Sequence, residues 1–398
     1  MALREQLKKL SPEWGIKVYK KVRYLSITAL FGLFRLLPIQ KNKVVICNVW
    51  GFGDNAKYVT EELAARHRKE LDLIFITNHP ETAGAPKGVT VYKSNSIKAI
   101  LSLATARVWL DNNRKESYIK KRRRQYYIQT WHGGIALKKI EKDYADHLGK
   151  AYIKNAKRDS AMTDLYISNS DFCTKMYRRS FWYKGPILEC GSPRNDILIN
   201  PRKGIGNRLR KELGIGKETK IALYAPTYRE GKDNVAAYSL EYDRLISVLT
   251  EKFGGSWTIA VRLHPLVAAQ SNALKYGKGV INASYYRDIY ELMSESDVLI
   301  TDYSNIMFEF SFTGKPVFLY ASDMKEYDDG RGFYFDYASL PYDKAENMGQ
   351  LESSILEFNG THYENRVNGF FKGLVLYEDG LASKTVADKI IEVVGAQK

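Results

Sequence analysis

The stretch VVICNVWGFGDNAKYVTEELAARH (residues 44–67) decides how the fold is read. Its first six residues, VVICNV, are apolar at every position but Asn48, the pattern of a strand buried on both faces. The loop WGFGDN follows, and a helical pattern then runs from Ala56 to His67. The same alternation continues outward. LDLIFIT (71–77), VTVY (89–92), RVWLD (107–111), YYIQT (126–130), DLYIS (164–168) and PILEC (186–190) are strand candidates. Helical patterns occupy about 150–160 and 171–180. Apolar strands separated by helices predict a parallel sheet covered on both faces.

The pattern pauses at NPRKGIGNRLRKELGIGKETK (200–220), which is polar, charged and glycine-containing. It restarts with IALYAPTYRE (221–230), a helix over 240–252, WTIAVRLHP (257–265), a helix near 287–295 and DVLITDYSN (297–305). FEFSFTG (308–314) reads as helical, PVFLY (316–320) as a strand, and the last fifty residues as mostly helical. The fold expected is therefore α/β: two doubly wound, Rossmann-like domains over 41–200 and 201–398, facing each other across a cleft. Neither G-x-G-x-x-G nor G-x-x-x-x-G-K-[ST] occurs, so an ordinary dinucleotide site or P-loop is unsupported.

Residues 1–40 have a different character. Tyr24–Phe34 is an uncharged run of only 11 residues, short of the roughly 18 needed to span a bilayer. No small-residue cleavage signal follows it. Lys17, Lys20, Lys21, Arg23 and Arg35 beside Tyr24, Leu30, Phe31 and Phe34 fit an amphipathic helix lying in a membrane interface. The alternative is a helix docked on the protein's own core.

The chain carries 61 Lys and Arg against 45 Asp and Glu, a net charge of +16. That field favours anionic partners: nucleic acid, lipid headgroups or a phosphate-rich substrate. The run KKRRR (120–124) lies between two strand candidates without interleaved aromatics, so it reads as a headgroup contact or a solvated loop rather than an RNA platform. Cys47, Cys173 and Cys190 are odd in number and widely spaced, which argues against a disulfide framework or zinc knuckle and favours a reducing compartment.

Ligands of doubly wound sheets bind beyond the carboxyl ends of the strands. TWHGG, CGSPRND, APTYRE, RLHP and TDYSN all fall there, and they supply His132, Arg194, Arg229, Arg262 and His264. Gly133 and Gly134 allow close backbone approach. The TDYSN turn opens a helix, whose bare N–H groups and macrodipole suit an anion. Five such loops point to a cleft for a multiply charged phosphate compound. Taken singly, each has a plainer reading: a packing histidine, a solvated arginine, an N-cap at Asp302 or Ser304.

In combination, QTWHGGIALKKIEKD (129–143), CGSPRNDIL (190–198), YAPTYRE (224–230), RLHP (262–265) and TDYSNIMFEFSFTGKPVFLYASDMKEYDDGRGFYFDY (301–337) resemble the CDP-glycerol glycerophosphotransferase family, which includes teichoic-acid primases and polymerases. The match runs in order from about residue 43 to 340. Where the family often has Thr-Pro after its His-Gly pair, this chain has the longer Gly134-Ile135-Ala136. The resemblance implies a GT-B-like pair of domains, peripheral attachment to the cytoplasmic face of a bacterial plasma membrane, and transfer of an alditol phosphate from a CDP-alditol to a lipid-linked acceptor. It implies catalytic roles for His132 and His264, and a donor site lined by Arg194, Pro226, Thr227, Arg262, Thr301, Ser304 and Asn305.

The residues support a mechanism in which His132 is the general base, His264 and Arg262 hold the transferring phosphate, and the Thr301–Asn305 turn binds the pyrophosphate. Gly133, Gly134 and Asp302 complete the expected substrate-binding set. Lys138 and Lys139 would attract a phosphate-bearing acceptor or be solvated. No obligatory cofactor or metal site is expected, since protein cations can take that part; Asp328-Asp329 is the weak exception. CDP-ribitol as donor, a GT-B glycosyltransferase using a nucleotide sugar, and a basic lipid- or nucleic-acid-binding protein are the other readings. Nucleic acid is not an expected partner, and the sequence does not speak to oligomeric state.

Overall fold

Buried strands alternate their side chains between two apolar layers, and the first sheet is built from that alternation. The computed structural model describes residues 13–82, 84–227, 229, 240–264, 267–273, 276–324 and 332–396. Strands β1 (Gln40–Cys47), β2 (Asp72–Thr77), β3 (Val89–Lys93), β4 (Ala106–Asp111), β5 (Tyr126–Gln129), β6 (Leu165–Ser168) and β7 (Ile187–Glu189) form a seven-stranded sheet. Its order is β3-β2-β1-β4-β5-β6-β7, with every pair parallel. Val44, Ile46, Leu73, Phe75, Val108 and Leu110 pack on one face against the helix Asp54–His67. Val45, Ile74, Trp109 and Tyr127 pack on the other against the helix Ile97–Thr105.

The second half repeats the plan. Strands β8 (Lys220–Tyr224), β9 (Trp257–Val261), β10 (Val280–Asn282), β11 (Val298–Thr301), β12 (Val317–Tyr320) and β13 (Asp343–Ala345) pair in the order β10-β9-β8-β11-β12-β13, again all parallel. In both sheets the first strand lies inside and the chain reverses direction beside it. The crevices where ligands bind thus fall between β1 and β4 and between β8 and β11. The five motifs follow β5, β7, β8, β9 and β11.

One apolar cluster spans both halves, joining Tyr58, Trp131, Leu137 and Phe181 to Leu223, Leu299 and Phe308. Polar bonds cross with it. Lys57 Nζ meets Asp288 at 2.6 Å and Glu291 at 2.5 Å, with all three side chains buried. Leu137 N donates to Asn305 Oδ1 at 2.9 Å, and Tyr334 N donates to the Leu137 carbonyl at 2.7 Å.

The domain assignment needs one correction. The last helix, Ala382–Gly395, packs on the first sheet and not on the second half: Val386, Ala387, Ile390 and Val393 join the cluster of Val44 and Val108. Their helical spacing makes an apolar stripe, and the exposed face of the first sheet is what it covers. The crossing segment is pinned where Tyr377 N donates to the Asn169 carbonyl and Glu378 accepts from Asn169, Asn195 and the Ser192 N–H.

The polar stretch read as a pause contains the helix Ile205–Leu213, in which only Ile205 and Leu209 are buried, so its apolar period is sparse. The helix Ile97–Thr105 and the three-residue strands β10 and β13 likewise have no counterpart among the elements expected from the sequence. Short strands carry too few residues for a period to register.

The helix Glu13–Phe34 corrects another expectation. Phe31 is buried, and Ile27, Leu30 and Phe34 pack beside it against Ile100, Leu103 and Tyr118. Tyr24 bonds Ser117 through its hydroxyl. Four residues read as membrane-facing are thus held by the protein. A different stripe is open: Trp14, Val18, Val22, Leu25 and Leu33 are exposed. Residues 1–12 lie outside the described residues, and no described helix is long and apolar enough to cross a membrane.

Candidate active site

β5 ends at Gln129, and the next two residues determine how His132 is presented. Trp131 has φ +56°, a left-handed backbone rare for a large side chain. Its neighbours hold it there. Gln129 Oε1 accepts from Trp131 N at 2.9 Å, Asn55 Nδ2 donates to its carbonyl at 3.1 Å, and its ring lies against Phe181 and under the Arg114 guanidinium. Backbone held in so sparse a region stores about 1–3 kcal/mol, and such residues cluster at functional sites. His132 stacks on the indole at a centroid separation of 4.3 Å.

His132 Nδ1 lies 2.9 Å from the carbonyl oxygen of Asn112. A carbonyl only accepts, so Nδ1 carries hydrogen and the neutral ring keeps its lone pair on Nε2. The residue is exposed, yet it sits among the cleft walls. Those walls keep water from part of the ring, which lowers its pKa from the usual imidazole value, opposed by the Asn112 bond and by Asp54, with Arg194 adding to the decrease. The ring is therefore neutral at neutral pH, as a general base requires.

The two residues that open the helix Asp54–His67 tie three loops together. Asp54 Oδ2 accepts from Asn112 Nδ2 at 2.7 Å, and Oδ1 accepts from Arg194 Nη1 at 2.8 Å. Asn55 donates to the Trp131 carbonyl and accepts from Arg194 N at 3.2 Å. The loops after β4, β5 and β7 thus converge on one Asp-Asn pair. This pair was missed in the sequence. The available signal was its place in WGFGDN, at the first crevice of a doubly wound sheet.

Arg194 is buried. It pairs with Asp54 and with Glu309 of the second half, and its guanidinium lies 5.2 Å from the Tyr290 ring centroid. Gly133 is half-buried, with its carbonyl accepting from Tyr177 at 3.0 Å. Gly134 is buried, and a Cβ there would lie 2.6 Å from Asn169 Nδ2. Its close approach is to Asn169. Lys138 pairs with Phe333 in an antiparallel bridge, and Lys139 N donates to the Gly332 carbonyl.

Across the cleft, Thr301 and Asp302 are almost wholly buried. Thr301 Oγ1 donates to the Ala225 carbonyl at 2.7 Å. Asp302 accepts from Thr227 N, the Thr227 hydroxyl and Tyr303 N, and pairs with Arg229 at 2.8 Å. These two side chains brace the loops after β8 and β11 from within, which corrects the expectation that they line the cleft. Arg229 also pairs with Asp323 at 2.8 Å. Pro226 is buried, and Thr227, Ser304 and Asn305 are half-buried.

The anion site expected at TDYSN is also altered. The helix that follows, Ile306–Phe310, has five residues, so its dipole is short. Tyr303, Met307 and Phe308 have their N–H groups bonded within the turn rather than bare.

Arg262 donates to the carbonyls of Ala283 at 3.1 Å and Tyr286 at 2.6 Å. Burial pushes its pKa down to about 10, against Asp288 and Tyr286, and it stays charged at neutral pH. His264 is exposed, its pKa lowered by nearby protein and then by Arg262. Tyr228, Glu230, Pro265, Asp328 and Asp329 lie outside the described residues.

A cavity of about 350 Å³ opens between the halves, lined by the 50–54 loop and by Arg194, Arg262, Arg287, Asp288 and Tyr290. Arg262 from one wall and the Asp54–Arg194 pair beside His132 from the other therefore share one space. Among the described residues, no three His, Cys, Asp or Glu side chains converge as metal ligands. All three cysteines are free and buried.

The family described as CDP-Glycerol:Poly(glycerophosphate) glycerophosphotransferase matches residues 29–392. The teichoic acid poly(glycerol phosphate) polymerase of Staphylococcus epidermidis is 29% identical over 371 residues, covering 88% of this chain and 50% of the relative. The chain thus spans about half the length of that relative. The teichoic acid glycerol-phosphate transferase of Staphylococcus aureus is 30% identical over 391 residues, covering 94% of this chain and 98% of the relative. Among solved structures, a histidine-to-asparagine variant of the wall teichoic acid polymerase TagF, soaked with CDPG, superposes with a TM-score of 0.80 at 27% identity. That match covers 95% of this chain and 96% of the other.

Proposed function

The chain belongs to the CDP-glycerol:poly(glycerophosphate) glycerophosphotransferase family, and from that premise we propose that it transfers glycerol phosphate from CDP-glycerol to a hydroxyl of a membrane lipid-linked acceptor. CMP is released, and the product is a teichoic acid or a related cell-surface polymer. The observation that carries this reading is His132, anchored through Nδ1 with its basic Nε2 available, beside the Asp54–Arg194 pair that lines the cavity between the halves.

The acceptor oxygen bonds to the β-phosphorus of CDP-glycerol while the bond from that phosphorus to the bridging oxygen breaks. CMP leaves with the bridging oxygen, and the hydroxyl proton passes to His132 Nε2. The acceptor gains a phosphodiester. Such a transfer asks the protein mainly for positioning and charge stabilisation. His264 and Arg262 meet the transferring phosphate, and the half-buried Thr227, Ser304 and Asn305 meet the rest of the donor. Gly133 belongs to the acceptor side. Protein cations do the work for which other transferases use a metal, so turnover survives chelation.

Attachment is peripheral, on the cytoplasmic face of a bacterial plasma membrane. The exposed stripe of Trp14, Val18, Val22 and Leu25 beside Lys17, Lys20, Lys21 and Arg23 supports this. A basin of about 810 Å³ that mixes Leu36 and Leu37 with Arg107, Arg123 and Arg124 supports it too. Within KKRRR, Lys121 pairs with Asp164 and Arg122 donates to the Arg35 and Leu37 carbonyls, so those two act structurally.

The test offers CDP-glycerol and CDP-ribitol separately with a lipid-linked acceptor, measuring CMP release and product length. CMP release with CDP-glycerol and a lengthened acceptor are expected. Turnover with CDP-ribitol alone, or a product that gains sugar without phosphodiester, would replace this reading.

A further inference from the structure

We propose that Asp54 and Asn55 are positioning residues for His132, with Asp54 acting through Asn112 to fix which imidazole nitrogen carries the proton. This rests on the reading of His132 as the base and adds what makes it one.

The chain of contacts is continuous. Asp54 Oδ2 accepts from the Asn112 side chain at 2.7 Å, and the Asn112 carbonyl accepts from His132 Nδ1 at 2.9 Å. Asp54 itself is held at φ +56°, with Oδ1 accepting from Asn55 N at 2.7 Å and from Arg194 Nη1 at 2.8 Å. Burial works to raise its pKa, but Arg194 and the bonds from Arg194, Asn55 and Asn112 outweigh that and hold it below the usual carboxylate value. It is therefore an anion throughout the working range, and an acceptor only. Asn112 must turn its amide nitrogen toward Asp54, which anchors the residue whose carbonyl grips the imidazole. Asn55, almost fully buried, holds the carbonyl of Trp131, the residue just before His132, at 3.1 Å. One dipeptide thus fixes the histidine from both sides: its backbone through Asn55, its ring through Asp54 and Asn112.

The charged groups around His132 are Asp54 at the start of its helix, Arg194 after β7 and Glu141 beyond the His132 loop. Glu141 is paired with Arg114 at 2.7 Å. Arg194 is shared between Asp54 and Glu309, so removing the Asp54 charge shifts the balance at the imidazole toward the cation.

The test uses the full chain with ¹⁵N-labelled histidine, and His132→Gln identifies the His132 resonances. In two-bond proton–nitrogen spectra at pH 8 the native ring is expected as the Nδ1–H tautomer. Asp54→Asn is expected to mix the tautomers, lower the imidazole pKa, and reduce kcat by about 10- to 100-fold, by analogy with histidines of metal sites that lose the partner orienting them. Asn112→Ala keeps the backbone carbonyl and the Asp54–Arg194 pair but removes the amide that Asp54 grips. It should produce the same tautomer mixing, with a lower melting temperature from the two side-chain hydrogen bonds it loses. A native Nε2–H ring would overturn the proposal. So would variants that melt lower yet keep the native tautomer and pKa, for Asp54 would then be only structural. The spectra need no substrate, so a failure of CMP release would sink the functional reading without touching this result.

Discussion

His132 Nδ1 lies 2.9 Å from the carbonyl oxygen of Asn112, a residue twenty positions earlier in the chain. That single bond leaves Nε2 as the basic atom, and the histidine chemistry predicted below follows from it.

Replacing His132 with alanine removes the base but leaves the opposite wall of the cleft in place. Turnover should fall by about 10²–10⁴-fold, the usual contribution of a general base. CDP-glycerol affinity, read by calorimetry, should stay within a few-fold of the native value. Undiminished turnover would take His132 out of the mechanism.

The same histidine sets the acid limb of the pH profile. Only the neutral ring accepts a proton, and its pKa lies below the ordinary imidazole value because the surrounding cleft walls disfavour the cation. Activity is therefore retained as pH falls through about 6.5, where a free imidazole is half-protonated, and is lost at lower pH. A kcat/KM profile with its acid limb above that point would contradict the geometry.

Lys57 bridges the halves with its ammonium on Asp288 and Glu291. Lys57→Ala leaves the buried Asp288 without its paired cation and Glu291 with Arg208 alone, and loss of one partner of a buried pair costs about 3–5 kcal/mol. Urea unfolding should show that loss. A change below about 1 kcal/mol would mean that water reaches the carboxylates.

Gly134 is buried against Asn169, whose amide is itself held by Glu378. Gly134→Ala forces that amide aside, so a loss of about 1–3 kcal/mol is expected, as for other overpacked sites. A fully stable alanine variant would show that Asn169 moves freely.

Deleting the first forty residues is a poor test of membrane binding, because Phe31 would leave a gap in the core. Val18→Glu with Val22→Glu alters only exposed positions. The double variant should keep the native melting temperature and lose most co-sedimentation with anionic vesicles. Unchanged vesicle binding would assign the contact to another surface.

The α/β plan was legible because strands buried on both faces must be apolar at every buried position, which leaves runs such as VVIC and LIFI in the chain. The helix Ile205–Leu213 was hidden because two buried residues are enough to dock it. The last helix follows the second half in the chain yet packs on the first sheet, because an apolar stripe records that a helix is buried but not what covers it. The N-terminal helix shows the same limit: its amphipathic, basic character was readable, while the choice of docked and open faces depended on where Ile100, Leu103 and Tyr118 lie.

His132, His264 and the arginines could be picked out from residue type and position at strand ends, since those properties are local. Asp54, Asn55 and Asn112 could not, because a carboxylate and two amides acquire a role only when loops far apart in the chain are brought within hydrogen-bonding distance. The order of residues thus settled the chemistry on offer and the strand ends that carry it. Packing of the two halves settled which side chains brace the cleft and which meet a ligand, because burial and pairing depend on neighbours that the linear chain does not display.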